Sequence, residues 1–401
     1  MVMALFLENI NYKLDNFMRG FCYFTPEEHA TRLKNVRSKM EGLNFDACLI
    51  TSPENIYYLI GLDHQGYFGP HILIVPRHDE MIIVARAHEI TTCERQAGNA
   101  TFKGYSDTQE AGEFVSEILK KMNLGNANIG IQTASLCFPP TISDSLKTNL
   151  VGVKWGDANG LVESFRIVKS PREIEYMKKS ANISDKMMQI AIKTAGEGVS
   201  EREIAACIHG VMIREGGEPP GFGPFVRSAE RLPYEHEIWS DRILQKGDQV
   251  ILEMAASFKR YHSPMGRLIY VNNAPEGTSD VEHICIEAQN ETIAAMKPGT
   301  SFAEVYNAWQ NVVDRNGLAH YRRHHCGYSV GIAFHPSWTG GIGVVGMHEK
   351  SDIMMKAGMV FHQLSWLLGC GKGDYFVSDT VYVSENGGER LTNTSRNLTI
   401  V

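Results

Sequence analysis

No apolar run in these 401 residues approaches the ~20 that a helical membrane span requires, and no two cysteines form a C-x-x-C pair. The first absence reads against a helical membrane protein; the second removes the usual structural-zinc and thioredoxin-type signatures. Basic residues are in the minority, 39 Lys and Arg against 46 Asp and Glu, and the net charge is −7. A nucleic-acid binder concentrates basic side chains to neutralise phosphates, so nucleic acid is not an expected partner. Neither a low-complexity tract nor a periodic internal repeat occurs. An apolar patch near the start, Met3 to Leu7, has no basic residues before it and no small-residue cleavage site after it, so it does not read as a secretory signal.

What is present suits a globular protein of two or three domains, with 43% hydrophobic and 21% charged residues. The eight cysteines stand singly, several within apolar runs such as the one around Cys48. Scattered thiols of this kind read as small core side chains in a reducing compartment, which makes the cytoplasm the expected location.

The pattern up to about residue 165 predicts a compact α/β domain. Thr25 caps a helix that has Pro26 in its first turn and stops at Gly42. Strands are expected at Ala47–Thr51, Ile72–Val75, Met81–Val84 and Ile129–Ile131, with a turn at Pro53 to Asn55 and a helix at Glu110–Met122. From about residue 166 a second domain is expected. Ser170 with Glu173, and Ser200 with Glu203, have capping-box spacing and open two long amphipathic helices, 171–195 and 200–215. Strands follow at Gln249–Ser257 and Arg267–Val271, helices at 279–296 and 301–316, and strands at Met359–Leu364 and Asp379–Val383.

The block "VKSPREIEYMKKSANISDKMMQIAI" followed by "GVSEREIAACI" resembles the opening of the catalytic domain of the methionyl/prolyl aminopeptidase and creatinase superfamily. "HEIWSDRILQKGDQVILEMA", "RYHSPMGRLIYV", "GYSVGIAFHPSW", "KAGMVFHQL" and "SDTVYVSENGGERLT" continue the likeness in that superfamily's order. "PENIYYLIGLDHQGYF" is similar to a creatinase-type N-terminal domain. The resemblance implies an α/β N-terminal domain over 1–165. It also implies an α+β pita-bread catalytic domain over 166–401, in which a curved antiparallel sheet is backed by helices.

Peptidases of that superfamily hold two metal ions with two Asp, one His and two Glu. Those positions fall on Glu253, Pro264, Tyr328, Leu364 and Ser378 here. One carboxylate cannot neutralise and bridge two cations, so no metal and no other cofactor is expected. The resemblance to metal-free members is closer. Like creatinase, the chain has His236 ahead of Asp241 and Arg242, and it keeps His335. The carboxylates with which creatinase recognises its guanidinium fall on Gly266 and Leu364, so creatine is not the expected substrate. "LEMAASFKRYHSPMGR", "GYSVG" with "PSW", and "GMVFH" are similar to ectoine hydrolases. In that branch the Glu matching Glu253 is implied to attack the substrate ring carbon.

From the residues themselves, Glu253 lies in an apolar strand, where desolvation makes a carboxylate more basic, fit to act as nucleophile or base. The structural alternative is a salt bridge to Arg267 or Lys259. His236 is the expected acid–base partner. His262, Arg267, Tyr328, His335, Trp338, His362 and Trp366 are candidate substrate-binding residues. Tyr67 and Phe68, in a Gly/Pro-flanked loop, are expected to reach a partner's site in a homodimer, as the resemblance implies. His324 and His325 beside Arg322 and Arg323 read as a solvated basic face, and Gly343 to Lys350 as a mobile lid. The expected activity is metal-independent hydrolysis of a non-peptide C–N bond in a small polar metabolite, ectoine or a similar cyclic amidine. Creatinase-like amidinohydrolysis, Xaa-Pro peptide hydrolysis, cleavage of dimethylsulfoniopropionate by a lyase, and ligand binding without catalysis are the rival readings.

Overall fold

The computed structural model describes residues 23–341, 343–370 and 373–401. The Met3–Leu7 patch and Cys22 lie outside them. The chain divides into two compact units, Met1–Arg166 and Ile167–Val401.

In the first unit, strands β1 (Ala47–Ile50), β2 (Ile72–Pro76), β3 (Met81–Arg86), β4 (Ala100–Tyr105), β5 (Asn128–Ile131) and β6 (Lys154–Asp157) form one mixed sheet in the order β4-β3-β2-β1-β5-β6. Its helices are α1 (Pro26–Gly42), α2 (Pro53–Ile60), α3 (Ile90–Gln96), α4 (Ala111–Lys121), α5 (Pro140–Asn149) and the short α6 (Glu163–Arg166). The Thr25 hydroxyl accepts from the Glu28 N–H and caps α1. The turn expected at Pro53 is instead the first turn of α2: Ser52 caps it, and all eight residues, Glu54 and Asn55 included, are buried. Polar residues in that turn conceal a helix buried on every side.

Tyr67 also departs from expectation. It is buried within its own unit, 4.7 Å from the rings of both His64 and His71, and its hydroxyl donates to the Leu62 carbonyl. Only Phe68, 81% exposed, presents an aromatic surface from that loop.

The second unit is built on helices α7 (Pro171–Thr194), α8 (Glu201–Arg214), α9 (Thr278–Ala295) and α10 (Phe302–Val313). Its strands are β7 (Phe225–Ser228), β8 (Gln249–Phe258), β9 (Tyr261–Tyr270), β10 (Gly327–Ser329), β11 (Val360–Leu367), β12 (Tyr375–Ser384), β13 (Gly387–Arg390) and β14 (Thr399–Ile400). The path β10-β11-β12-β9-β8-β7 is antiparallel throughout; β13 adds to β12 antiparallel and the short β14 to β9 in parallel. This is the pita-bread fold. The Ser170–Glu173 capping box opens α7 as expected, and Ser200 caps α8.

The side-chain period of 2 divides each strand between two faces. On β8, Val250, Leu252, Met254 and Ala256 join a core with Met187, Met188, Ile204 and Ile208 of α7 and α8. The opposite parity, Ile251, Glu253 and Ala255, shares a face with Phe225, Leu268, Phe376, Leu364 and Trp366. Both faces are buried, so no polar–apolar alternation marks these strands in the sequence. A second core of Val281, Trp309, Phe361 and Val377 backs the other half of the sheet.

The supposed lid is anchored. Met347 is fully buried; its N–H donates to Gly327 (2.8 Å), its carbonyl accepts from Cys326 (3.0 Å), and Val345 accepts from Ser329 (2.9 Å).

Candidate active site

Strand register gathers the site. Phe225 is the Cα partner of Glu253, Glu253 of Gly266, Gly266 of Ser378, and Ser378 of Leu364. One row therefore crosses β7, β8, β9, β12 and β11. Along β11 the same face carries His362 and Trp366, and Tyr328 of β10 is the partner of His362.

Glu253 is 7% exposed, and neither Arg267 nor Lys259 pairs with it. Burial pushes its carboxyl up to about 7; Arg227 and Arg323 oppose that rise, and the nearby charge of Glu235 adds to it. Arg227 is itself buried and donates to the Leu232 and Tyr234 carbonyls, holding the loop that carries Glu235 and His236. Buried Glu201 ties down the base of that loop, accepting from the N–H and hydroxyl of both Ser228 and Ser240 and pairing with Arg231.

His236 adopts a left-handed backbone, φ 64°, unusual for a side chain with a Cβ. Its exposed ring stacks on Phe222 (centroids 6.1 Å apart, planes 20°) and meets Phe225 edge-on at 6.0 Å. Phe225 is the register partner of Glu253, so His236 stands one side chain from the carboxylate. Trp338 closes this wall, 4.8 Å from Phe222 and 5.5 Å from Phe225.

A hydrogen-bonded chain leads away from the aromatic wall, starting at Trp338. Trp338 Nε1–H donates to the Tyr328 hydroxyl (2.9 Å), which lies 2.9 Å from His362 Nδ1, and His362 Nε2 lies 2.7 Å from Ser378 Oγ. Burial, with His325 and Arg267 nearby, holds the His362 imidazole neutral at about 3. Burial and the Glu253 charge keep the Tyr328 phenol protonated by raising its pKa.

Two candidate binding residues are instead consumed by the fold. Arg267 donates to the carbonyls of Ser395, Gly266, Ser378 and Thr394 and pairs with Asp379 at 2.9 Å, leaving no N–H for a ligand. His262 accepts from the Gly221 N–H and donates to the Arg260 carbonyl; with both nitrogens engaged and its pKa lowered to about 4 by burial, it is a structural imidazole. His335 is exposed, and no contact among the described residues links its ring to this group. The expected basic face splits. Arg322 pairs with Asp314 at the surface, whereas the Arg323 guanidinium lies 4.4 Å from the Trp366 ring and within electrostatic reach of Glu253. His325 turns inward, 5.4 Å from Tyr328.

Arg227, Glu235, Arg323, Phe222 and Phe225 were not among the expected site residues. Adjacency to His236 was an available signal for Glu235. The others are brought in by register and loop geometry.

A model of metallopeptidase family M24 matches residues 175–385, and one of the creatinase/prolidase N-terminal domain matches 32–168. The chain belongs to metallopeptidase family M24. It is 28% identical over 367 residues to a Xaa-Pro dipeptidase of Pyrococcus furiosus, covering 92% of this chain and 99% of that one. It is 25% identical over 395 residues to an ectoine hydrolase of Halomonas elongata, covering 94% and 98%. The prolidase of Pyrococcus horikoshii shares the fold, with a TM-score of 0.80 at 24% identity over 92% of this chain and 99% of that one.

The family description implies metal, and the residues present do not fit it. Of Glu253, Pro264, Tyr328, Leu364 and Ser378, only one is a carboxylate, and His362, whose ring contacts Tyr328 and Ser378, has both nitrogens engaged. Among the described residues no group of three or more His, Cys, Asp or Glu is arranged to hold a metal ion. No described helix is long and apolar enough to cross a membrane. The chain is an M24-family hydrolase.

Proposed function

We propose that this hydrolase works without metal and opens a non-peptide C–N bond in a small polar metabolite, a cyclic amidine such as ectoine. The observation that carries the reading is the state of Glu253, a buried carboxylate with a pKa near 7, beside an aromatic wall at a position where the family's peptidases have a metal ligand. The relative named ectoine hydrolase adds support. A carboxylate in this environment is poorly solvated and reactive toward a delocalised cationic carbon, while aromatic faces favour that cation.

In this mechanism a Glu253 oxygen bonds to the amidine carbon, and the C–N bond breaks with its electron pair going to nitrogen. His236 delivers the proton that nitrogen takes up. Water then adds to the same carbon, passing one proton back to His236 and the other to the freed amine, and the C–O bond to Glu253 breaks, returning the carboxylate. Cytoplasmic placement accompanies this reading, supported by seven free thiols among the described residues. So does a homodimer, supported by the exposure of Phe68.

The test is incubation of the purified protein with ectoine in the presence of a chelator, following ring opening by NMR. Ring opening that survives chelation is the expected result. Cleavage of Xaa-Pro dipeptides that depends on added manganese, with no action on ectoine, would overturn the proposal in favour of the family's peptidase activity.

A further inference from the structure

The chain Trp338–Tyr328–His362–Ser378 contains more protons than it can use. Its three contacts join an indole N–H, a phenol, a neutral imidazole and an alcohol, each contributing one proton. Four protons serve three links, so one hydroxyl proton is left over. Trp338 can only donate, which leaves two arrangements. In one, Tyr328 donates to Nδ1 and Nε2–H donates to Ser378, so the spare proton is on Ser378. In the other, Ser378 donates to Nε2 and Nδ1–H donates to Tyr328, so the spare proton is on Tyr328.

Burial separates the two. Ser378 is fully buried, and His362 is the sole side-chain partner of its hydroxyl among the described residues. A spare proton there would meet no acceptor, an unfavourable state for a buried donor. Tyr328 is only partly buried, on the face shared with Glu253, and its proton can reach a bound molecule.

We propose that the Tyr328 hydroxyl is the hydrogen-bond donor this site presents to its substrate beside Glu253, and that Trp338, His362 and Ser378 are positioning residues that hold its proton outward. With two N–H groups donating into it, the phenol oxygen is polarised, and its own O–H becomes a stronger donor. The site then holds a fixed neutral dipole aimed at the reacting group, at the residue where the family's peptidases have a metal-ligating His. The choice of substrate rests on the hydrolase reading above, whereas the orientation of the chain does not.

The closing experiment has two arms. Long-range 15N correlation NMR of the full-length protein, labelled at histidine and with His362 assigned by its loss in His362→Gln, reads the tautomer without any substrate. The Nδ1–H form is expected, whereas an Nε2–H form or an imidazolium would overturn the proposal. With ectoine as substrate, Tyr328→Phe should lower kcat by roughly 10²–10³-fold while changing KM far less. Ser378→Ala frees Nε2, so the imidazole should become a tautomer mixture, and kcat should fall by a smaller factor. Wild-type kcat in a folded Tyr328→Phe protein would refute the donor role. If the wild-type protein leaves ectoine untouched, the substrate assignment fails, and the tautomer measurement alone decides this inference.

Discussion

Glu253 and Gly266 are direct register partners on β8 and β9, and the space beside that glycine is already occupied. A Cβ on residue 266 would lie 2.3 Å from the Phe376 ring and 2.8 Å from Ser378 Oγ. The glycine lets a ring and a hydroxyl pack against the strand next to the carboxylate. Gly266→Ala should therefore destabilise the protein by about 1–3 kcal/mol, as overpacking does. It should also displace Ser378 and lower activity more than the stability loss explains. Denaturant unfolding alongside kcat measured well below the melting temperature checks both.

Arg267 makes the opposite point, since a residue that looked like a ligand-binding cation is wholly engaged. Its partner Asp379 is fully buried and also accepts from Thr392 and Gln289. Arg267→Leu should cost about 3–5 kcal/mol, because the remaining carboxylate is left buried and short of its main counter-charge. Chemical denaturation checks the size of the effect. A protein as stable as the wild type but unable to bind substrate would restore Arg267 to the binding residues.

The fold was largely legible in the sequence because its signals are local: Thr25, Ser170 and Ser200 cap helices through their own side chains. What escaped was set by distant contacts. β7 is four residues long and owes its place to pairing with β8, so Phe225 and Arg227 carried no local signal. Arg322 and Arg323 are adjacent and alike in type, yet one faces Asp314 and the other Trp366. His262 and His362 are equally buried, and only their partners, backbone for one and side chains for the other, separate scaffold from site.

The raised pKa of Glu253 makes the stability of the fold depend on pH. In the folded protein the carboxyl releases its proton near 7 rather than near 4.5, so between those values the folded state binds more protons than the unfolded state. Stability must then fall as pH rises through that window, by on the order of 3 kcal/mol in total. Glu253→Gln has no proton to lose. Against wild type it should gain stability progressively from pH 5 to pH 8, as read from denaturant midpoints. Parallel pH profiles for the two proteins would mean the carboxyl is not perturbed.

Phe68 tests the assembly independently of the chemistry. A phenylalanine 81% exposed on a loop, with the Arg86 guanidinium 5.9 Å from its ring, is an apolar surface seeking cover. Sedimentation should show a dimer for the wild type and a shift toward monomer for Phe68→Asp. Tyr67→Phe should leave the dimer intact, since Tyr67 is spent inside its own unit. A wild-type protein that sediments as a monomer and is fully active would remove the partner from the site.

Glu253 and His236 should separate by pH and by variant. If the carboxylate is the reacting group, kcat/KM should rise with pH through about 7, since only the ionised form can attack or take a proton. Glu253→Gln should abolish turnover while leaving substrate binding largely intact, because the amide keeps the shape but has no charge to use. His236→Ala should lower the rate by roughly 10²–10⁴-fold, the share general acid–base catalysis usually contributes, without moving the limb that belongs to Glu253. The aromatic contacts of His236 with Phe222 and Phe225 give it a second way to matter, by closing the wall. His236→Phe separates the two effects: it keeps the stacking and removes the proton chemistry, so its rate should match that of His236→Ala. A near-normal rate in His236→Phe would make His236 part of the wall and leave proton transfer to another group. An acid quench during turnover should trap an adduct on the Glu253 peptide, visible as a mass increase. Turnover that depends on Glu253 yet never yields such an adduct would make the residue a base rather than a nucleophile.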